Sequence, residues 1–236
     1  MALKYNANLE VQYPSKTIMG RISEASRATL RHLWTEKVFA SGQLILDAED
    51  EGGDVLILLQ GSARAANFSA KGREVSFSTI YEGDCFGEFA MIDGAPRSAS
   101  VLAMERSRVA LIPDAMFRRL LADNADLSMA LMGHLVDKLR DLTRRVSEFT
   151  ALRADDRIRL EILRQFEDAQ KSDGSALLDS PPTQAALAAF VFTNREAVAR
   201  EIGRMKRKKL IERRGRALFA PSVPKIAEYQ QAEHAG

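Results

Sequence analysis

At Pro113 the spacing of apolar residues changes period, and that change divides the fold. Upstream, from Val38, short apolar runs ("LILD", "VLILLQG", "VSFSTI", "SASVLA", "VALIP") are separated by "DEGGD", "SAKGRE" and "YEGD". Strands of about five residues punctuated by Gly and Asp every 8 to 12 residues or so predict an antiparallel sandwich or barrel. Downstream, Met132, Leu135, Leu139, Leu142, Val146 and Phe149 recur at intervals of 3 and 4. That is the narrow seam of a helix that pairs with another helix, not a broad face that covers a core. Asp137, Lys138, Arg140, Arg144 and Arg145 flank the seam, so the expected partner is the same helix of a second copy, giving a homodimer. Ahead of the strands, "ISEASRATLRHLW" predicts a short helix capped by Ser23.

The net charge of +2 conceals an asymmetry. Ser41 to Glu105 carries eleven acidic and four basic residues, whereas Val191 to Arg216 carries ten basic and three acidic. The second segment is suited to a polyanion. One cysteine, Cys85, allows neither an intramolecular disulfide nor a cysteine metal cluster. His32, His134 and His234 lack metal-ligand spacing, so no metal is expected. No apolar stretch reaches spanning length and the N-terminus shows no secretory pattern, which makes the cytoplasm the expected compartment. The "NFS" at Asn67 is then a chance match to a glycosylation acceptor.

Near "LRADD" the helical register changes, and "RIRLEILRQFEDA" predicts a helix with Ile158, Ile162, Leu163 and Phe166 on one side, followed by a loop "QKSDGSALLDSPP". The stretch "TQAALAAFVFTNREAVAREIGRMKRKKLIERRGRALFAP" reads as helix, turn, helix, then a hairpin around Arg214 and Gly215. Leu187, Phe190, Ala197, Val198, Ile202 and Met205 are expected inward, leaving Arg195, Glu196, Arg200 and Arg204 outward. Such a helix fits a major groove, where Arg pairs with guanine O6 and N7 and Glu accepts from cytosine N4. Arg213, Arg214 and Arg216 are expected to touch phosphates. After Pro113 there is neither length nor a nucleophile, metal or base cluster for a catalytic domain, so an enzyme is not expected.

Two stretches carry a family resemblance. "FGEFAMIDGAPRSASVLA" resembles the phosphate-binding cassette of cyclic-nucleotide-binding domains, and "TNREAVAREIGRMKRKKLI" resembles the recognition helix of the cyclic-AMP receptor protein family of bacterial transcription regulators. The resemblance implies an α+β fold in three parts: a β-roll with its N-terminal helix over 1–112, a dimerisation helix over 113–152 and a winged helix-turn-helix over 153–236. It places the nucleotide on Phe86, Gly87, Glu88, Phe89, Arg97, Ser98 and Ala99. Arg97 would fork onto the phosphate, Gly87 would admit the chain near the sugar, and Glu88 would accept from the ribose 2′-hydroxyl. Ser98 can donate to the phosphate and is compatible with a guanine amino group, so cyclic AMP and cyclic GMP both stay open, as does another effector or none.

Where two polar residues usually meet the base, this chain has Leu142 and Thr143. Leu142 has no donor, whereas Thr143 could serve the neighbouring subunit's base. Phe192 replaces the glycine common at the helix-turn-helix turn, where a reshaped turn is expected, and Asn194 replaces the serine before Arg195. Thr183 stands where a threonine that contacts the DNA backbone is expected. The implied partners are a two-fold symmetric duplex, a second copy and RNA polymerase, with a pivot near Arg153 to Asp156.

Overall fold

The computed structural model describes residues 12–48, 50–68, 74–179 and 181–234, which divide into two compact units with the boundary between Leu139 and Arg140. In the first, short helices α1 (Ile18–Arg21) and α2 (Glu24–Arg31) precede β1 (Thr35–Phe39), β2 (Leu44–Leu46), β3 (Val55–Gln60), β4 (Ala63–Phe68), β5 (Glu74–Ile80) and β6 (Cys85–Phe86). Helix α3 (Glu88–Asp93) interrupts the strands before β7 (Ser100–Ala103) and β8 (Ser107–Ile112), and α4 (Asp114–Asp123) and α5 (Ala125–Ala151) follow. Ser23 caps α2 as expected, its hydroxyl accepting from the Ser26 amide. The helical tract after Pro113 breaks at Asn124, whose φ of −132° and ψ of 97° are extended and whose side chain accepts from the Leu127 amide as a cap for α5.

The strands form two antiparallel four-stranded sheets, ordered β1-β8-β3-β6 and β2-β7-β4-β5. Central strand β3 is apolar along its length because both its faces are covered. Leu56 and Leu58 join Phe39, Phe86, Val101 and Val109 in a core shared by the two sheets. Val55, Ile57 and Leu59 alternate to the other face and meet Met19, Leu30, Phe117, Leu127 and Leu131 of the helices. Strands β1 and β4 lie outside the expected apolar runs, since "TEKVF" and "ARAANF" are interrupted by polar residues, and β1 is exposed along all but Phe39.

The second unit holds α6 (Ala154–Asp168), β9 (Ala176–Leu178), α7 (Gln184–Phe190), α8 (Arg195–Arg207), β10 (Glu212–Arg214), β11 (Ala217–Ala220) and α9 (Val223–His234). The hairpin around Arg214 and Gly215 is β10 and β11, and β9 completes a sheet ordered β10-β11-β9 inside what the sequence reads as loop. Ile158, Phe166, Leu187, Val198, Met205 and Ile226 close a core of their own. None of the helices described is long and apolar enough to cross a membrane.

The seam on α5 differs from the expected one by a residue. Leu135 packs against the core of the first unit, and the exposed stripe is Met129, Met132, Val136, Leu139, Leu142, Val146 and Phe149. An α-helix turns 3.6 residues per turn, so a face that alternates 3 and 4 drifts, and Val136 takes the position that Leu135 vacates.

Candidate functional site

Gly87 sits between β6 and α3 at φ +79°, a left-handed conformation that glycine adopts without strain. The turn brings its carbonyl onto Arg97. That guanidinium is 8% exposed and donates from Nη1 to the Gly87 carbonyl at 2.6 Å and to the Asp54 carbonyl at 3.0 Å. A Cβ on Gly87 would lie 2.7 Å from the same nitrogen, so the cradle has no room for a side chain there. Nε of Arg97 is buried and finds no hydrogen-bond partner among the described residues. Burial pulls the Arg97 pKa down, against the pull of Asp54 and Asp50, and the group stays a cation at any ordinary pH. One edge of the fork is thus spent on the protein and the other is left for an anion's oxygens.

Glu88 follows at the first turn of α3 and is 1% exposed. Its carboxylate accepts from Lys138 Nζ of α5 at 2.8 Å, not from Arg97. Burial alone would lower the Lys138 pKa, but the charges of Glu88 and Asp84 and the hydrogen bond take it above its ordinary value. Lys138 also lies 5.4 Å from the centre of the Phe89 ring, which is exposed, whereas Phe86 is buried in the core shared by the sheets. In the sequence Lys138 stands only as a flank of the α5 seam. A lysine 50 residues from the carboxylate it neutralises leaves no local signal. Beneath it, burial pushes the His134 imidazole down to about 4, and its Nε2 is buried without a partner among the described residues.

Ser98 is exposed and its carbonyl accepts from Asn67 Nδ2 at 3.1 Å; Ala99 is half-buried beside it. Leu142 and Thr143 lie in the second unit on the exposed side of α5, and the cassette lies in the first.

In the second unit α8 shows Arg195, Glu196, Ala199 and Arg200 to solvent. Arg204 does not join them: it turns back to Glu201 at 2.9 Å and Asp155 at 3.6 Å, because a buried carboxylate on the adjoining face outcompetes water for it. Glu201 also accepts from Arg159 Nη1 at 3.0 Å, and Arg159 reaches Asp156 and Gln230. This buried network ties α8 to α6 and α9. Asn194 caps α8, its Oδ1 accepting from the Ala197 amide at 2.8 Å, and Thr183 caps α7 in the same way through Ala186 at 3.1 Å. Both side chains are spent on caps while remaining exposed.

On the hairpin, Arg213 bonds the Gly215 carbonyl, and Arg214 pairs with Glu212 and stacks 3.4 Å from the Phe219 ring centre. Among the described residues Arg195, Arg200, Lys206, Arg207, Arg213 and Arg216 have no acidic partner, so their charge is available to phosphates.

Phe192 itself closes the turn. That residue takes φ +54° and the Thr193 amide donates to the Ala188 carbonyl at 2.9 Å, which is the six-to-one bond of a Schellman end with a phenylalanine in the glycine position. The conformation costs about 1 to 2 kcal/mol for a residue with a Cβ.

Comparison with known proteins assigns a domain to each of two stretches of the chain. The model of the "Cyclic nucleotide-binding domain" matches residues 36–124, and that of the "Crp-like helix-turn-helix domain" matches 156–228. The "CRP-like cAMP-activated global transcriptional regulator" of Mycobacterium tuberculosis is 24% identical over 76% of this chain and 81% of its own length. Among solved structures, a CooA mutant from Carboxydothermus hydrogenoformans superposes with a TM-score of 0.72 at 17% identity, covering 86% of this chain and 90% of that one. The c-di-GMP responsive global regulator CLP of Xanthomonas campestris gives 0.72 at 18% identity, covering 84% and 99%.

Proposed function

The chain belongs to the cyclic-AMP receptor protein family of transcription regulators, not to a family of enzymes, and from that premise we propose that it is a homodimer whose DNA binding is gated by cyclic AMP or cyclic GMP. The observation that carries this reading is the half-spent guanidinium of Arg97. It is buried and anchored by two carbonyls, with its Nε side unpartnered, as a single phosphodiester charge requires. Glu88 supplies the ribose acceptor, and Lys138 holds that carboxylate in place through a 2.8 Å hydrogen bond. With Leu142 unable to hydrogen-bond a base, recognition rests on phosphate and ribose. Both purines are therefore admitted. Bound nucleotide makes contacts belonging to one dimer geometry, and so shifts the population toward the state whose two α8 helices reach successive major grooves about 34 Å apart. The cytoplasm is the compartment for such a protein, and RNA polymerase is the machinery it recruits or blocks.

The exposed stripe of α5 supports the dimer. Leu139 is 63% exposed in the single chain, so Leu139→Glu should leave the monomer's fold intact. In the dimer it buries two unpaired carboxylates, at about 3 to 5 kcal/mol or more than about 100-fold in self-association. Sedimentation equilibrium should find monomers; a dimer as tight as wild type would place the interface elsewhere.

Function itself is tested by a gel shift on randomised duplexes, with and without cyclic AMP, cyclic GMP and c-di-GMP. The expected result is a two-fold symmetric site bound about tenfold or more tighter with a cyclic mononucleotide. A response to c-di-GMP alone, or to none, would replace the effector while leaving the regulator. In the same assay Arg195→Ala should relax the preference at one base pair per half-site by about 1 to 3 kcal/mol. An unchanged preference would remove Arg195 from base reading.

A further inference from the structure

The turn between α7 and α8 is held by two arginines that come from outside it. Arg145 of α5 donates from Nη2 to the Phe190 carbonyl at 2.9 Å, with its guanidinium 4.2 Å from the Phe190 ring centre and 5.1 Å from that of Phe192. Arg157 of α6 donates from Nε to the Val191 carbonyl at 3.0 Å and from Nη2 to the Phe192 carbonyl at 3.2 Å. Its remaining Nη1 reaches the Leu152 carbonyl just past the end of α5 at 2.8 Å. Phe149, in the last turn of α5, meets the Phe192 ring edge-on at 5.5 Å and lies 5.0 Å from the Arg157 guanidinium. Three successive turn carbonyls are thus fixed to the end of the long helix. The segment expected to be a pivot, Arg153 to Asp156, is spanned by the same arginine.

We propose that this clasp locks the orientation of α8 to the last turns of α5 and thereby sets which half-site spacing the DNA-bound dimer accepts. The inference rests on the dimeric DNA-binding reading above. In a two-fold dimer built on α5, the separation of the two α8 helices follows from the angle each makes with α5, and the turn is where that angle is set. A tilt of about 10° swings the far end of α8, about 20 Å long, by about 3.4 Å, the rise of one base pair. Phe192 is central because a glycine would make the same Schellman end with no ring for Phe149 and Arg145 to hold. Specificity of spacing is a different quantity from specificity of sequence, which the exposed face of α8 reads.

The test is competition binding on duplexes that keep the selected half-sites and change their separation by −1, +1 and +2 base pairs. Wild type should prefer one spacing by about tenfold or more per base pair inserted, within the cost of a mismatched site. Phe192→Gly should reduce that ratio to about threefold or less while leaving the half-site sequence preference unchanged, because a loosened turn lets α8 follow the DNA. General destabilisation would weaken all spacings alike. Glycine accepts φ +54° without strain, so the variant should melt cooperatively. Should it not, Arg145→Gln, which leaves Phe192 in place, must show the same loss of discrimination. A variant that selects spacing as sharply as wild type overturns the clasp alone. A wild type that binds no two-fold duplex overturns the reading beneath it, and the clasp's role with it.

Discussion

Arg97→Ala protein should bind its operator at the basal level and ignore cyclic nucleotide. The side chain does two jobs that can be separated. Nη1 ties β3's entry to the cassette through the Asp54 and Gly87 carbonyls, and the opposite edge is the one left to the ligand. Loss of a charge-assisted pair of bonds to phosphate corresponds to about 3 kcal/mol or more, hence at least about 100-fold in nucleotide affinity. Stability should fall less, by about 1 to 3 kcal/mol, since water can enter the vacated space and satisfy the two carbonyls. Calorimetric titration separates these effects, and Arg97→Lys sharpens the comparison. Lysine restores a charge but not the planar fork, so it should recover some stability and little affinity. An alanine variant binding nucleotide within a factor of about three of wild type would place the phosphate elsewhere.

Glu201→Ala should have the larger effect on stability and act only on the second unit. Glu201 is 1% exposed and Arg159 is 3% exposed. The carboxylate takes one bond from Arg159 and faces Arg204 at 2.9 Å. Without it Arg159 keeps Asp156 and Gln230, but two cations share the surroundings that one buried anion balanced. Breaking a buried pair by removing one partner costs about 3 to 5 kcal/mol. For a domain of this size, that lowers the melting temperature by more than about 12 °C. Scanning calorimetry should show the transition of the DNA-binding unit moving down while that of the nucleotide-binding unit stays. Operator binding should be lost at temperatures where nucleotide still binds. A melting temperature within about 2 °C of wild type would mean that the network is replaceable by water and packing.

What the sequence made legible was whatever is decided over a few neighbouring residues. The apolar run of β3, the cap at Ser23 and the hairpin at Gly215 are local matters of period and side-chain oxygen. The cassette was legible because Gly87 and Arg97 stand ten residues apart and meet through one turn. The opaque parts are decided between distant segments. Lys138 reaches Glu88 across 50 residues, Arg145 reaches Phe190 across 45, and Arg157 reaches Phe192 across 35. In each case a basic side chain indistinguishable from its solvated neighbours is selected by an acceptor that the fold brings to it. Leu135 and Val136 show the same limit within a helix, because two adjacent apolar residues can exchange roles until a core chooses one. Counting helix positions points Arg204 outward, and nothing in that count marks Glu201, three residues before it, as buried beside it.

Phe149 ends the uncovered apolar stripe of α5 and also touches the ring of Phe192. One aromatic side chain therefore belongs to two surfaces at once, and a change in its bulk is read by both. In the proposed dimer, descendants of this chain could not retune self-assembly at that end of the helix without disturbing how the genome is read, so these two positions should be inherited as a pair.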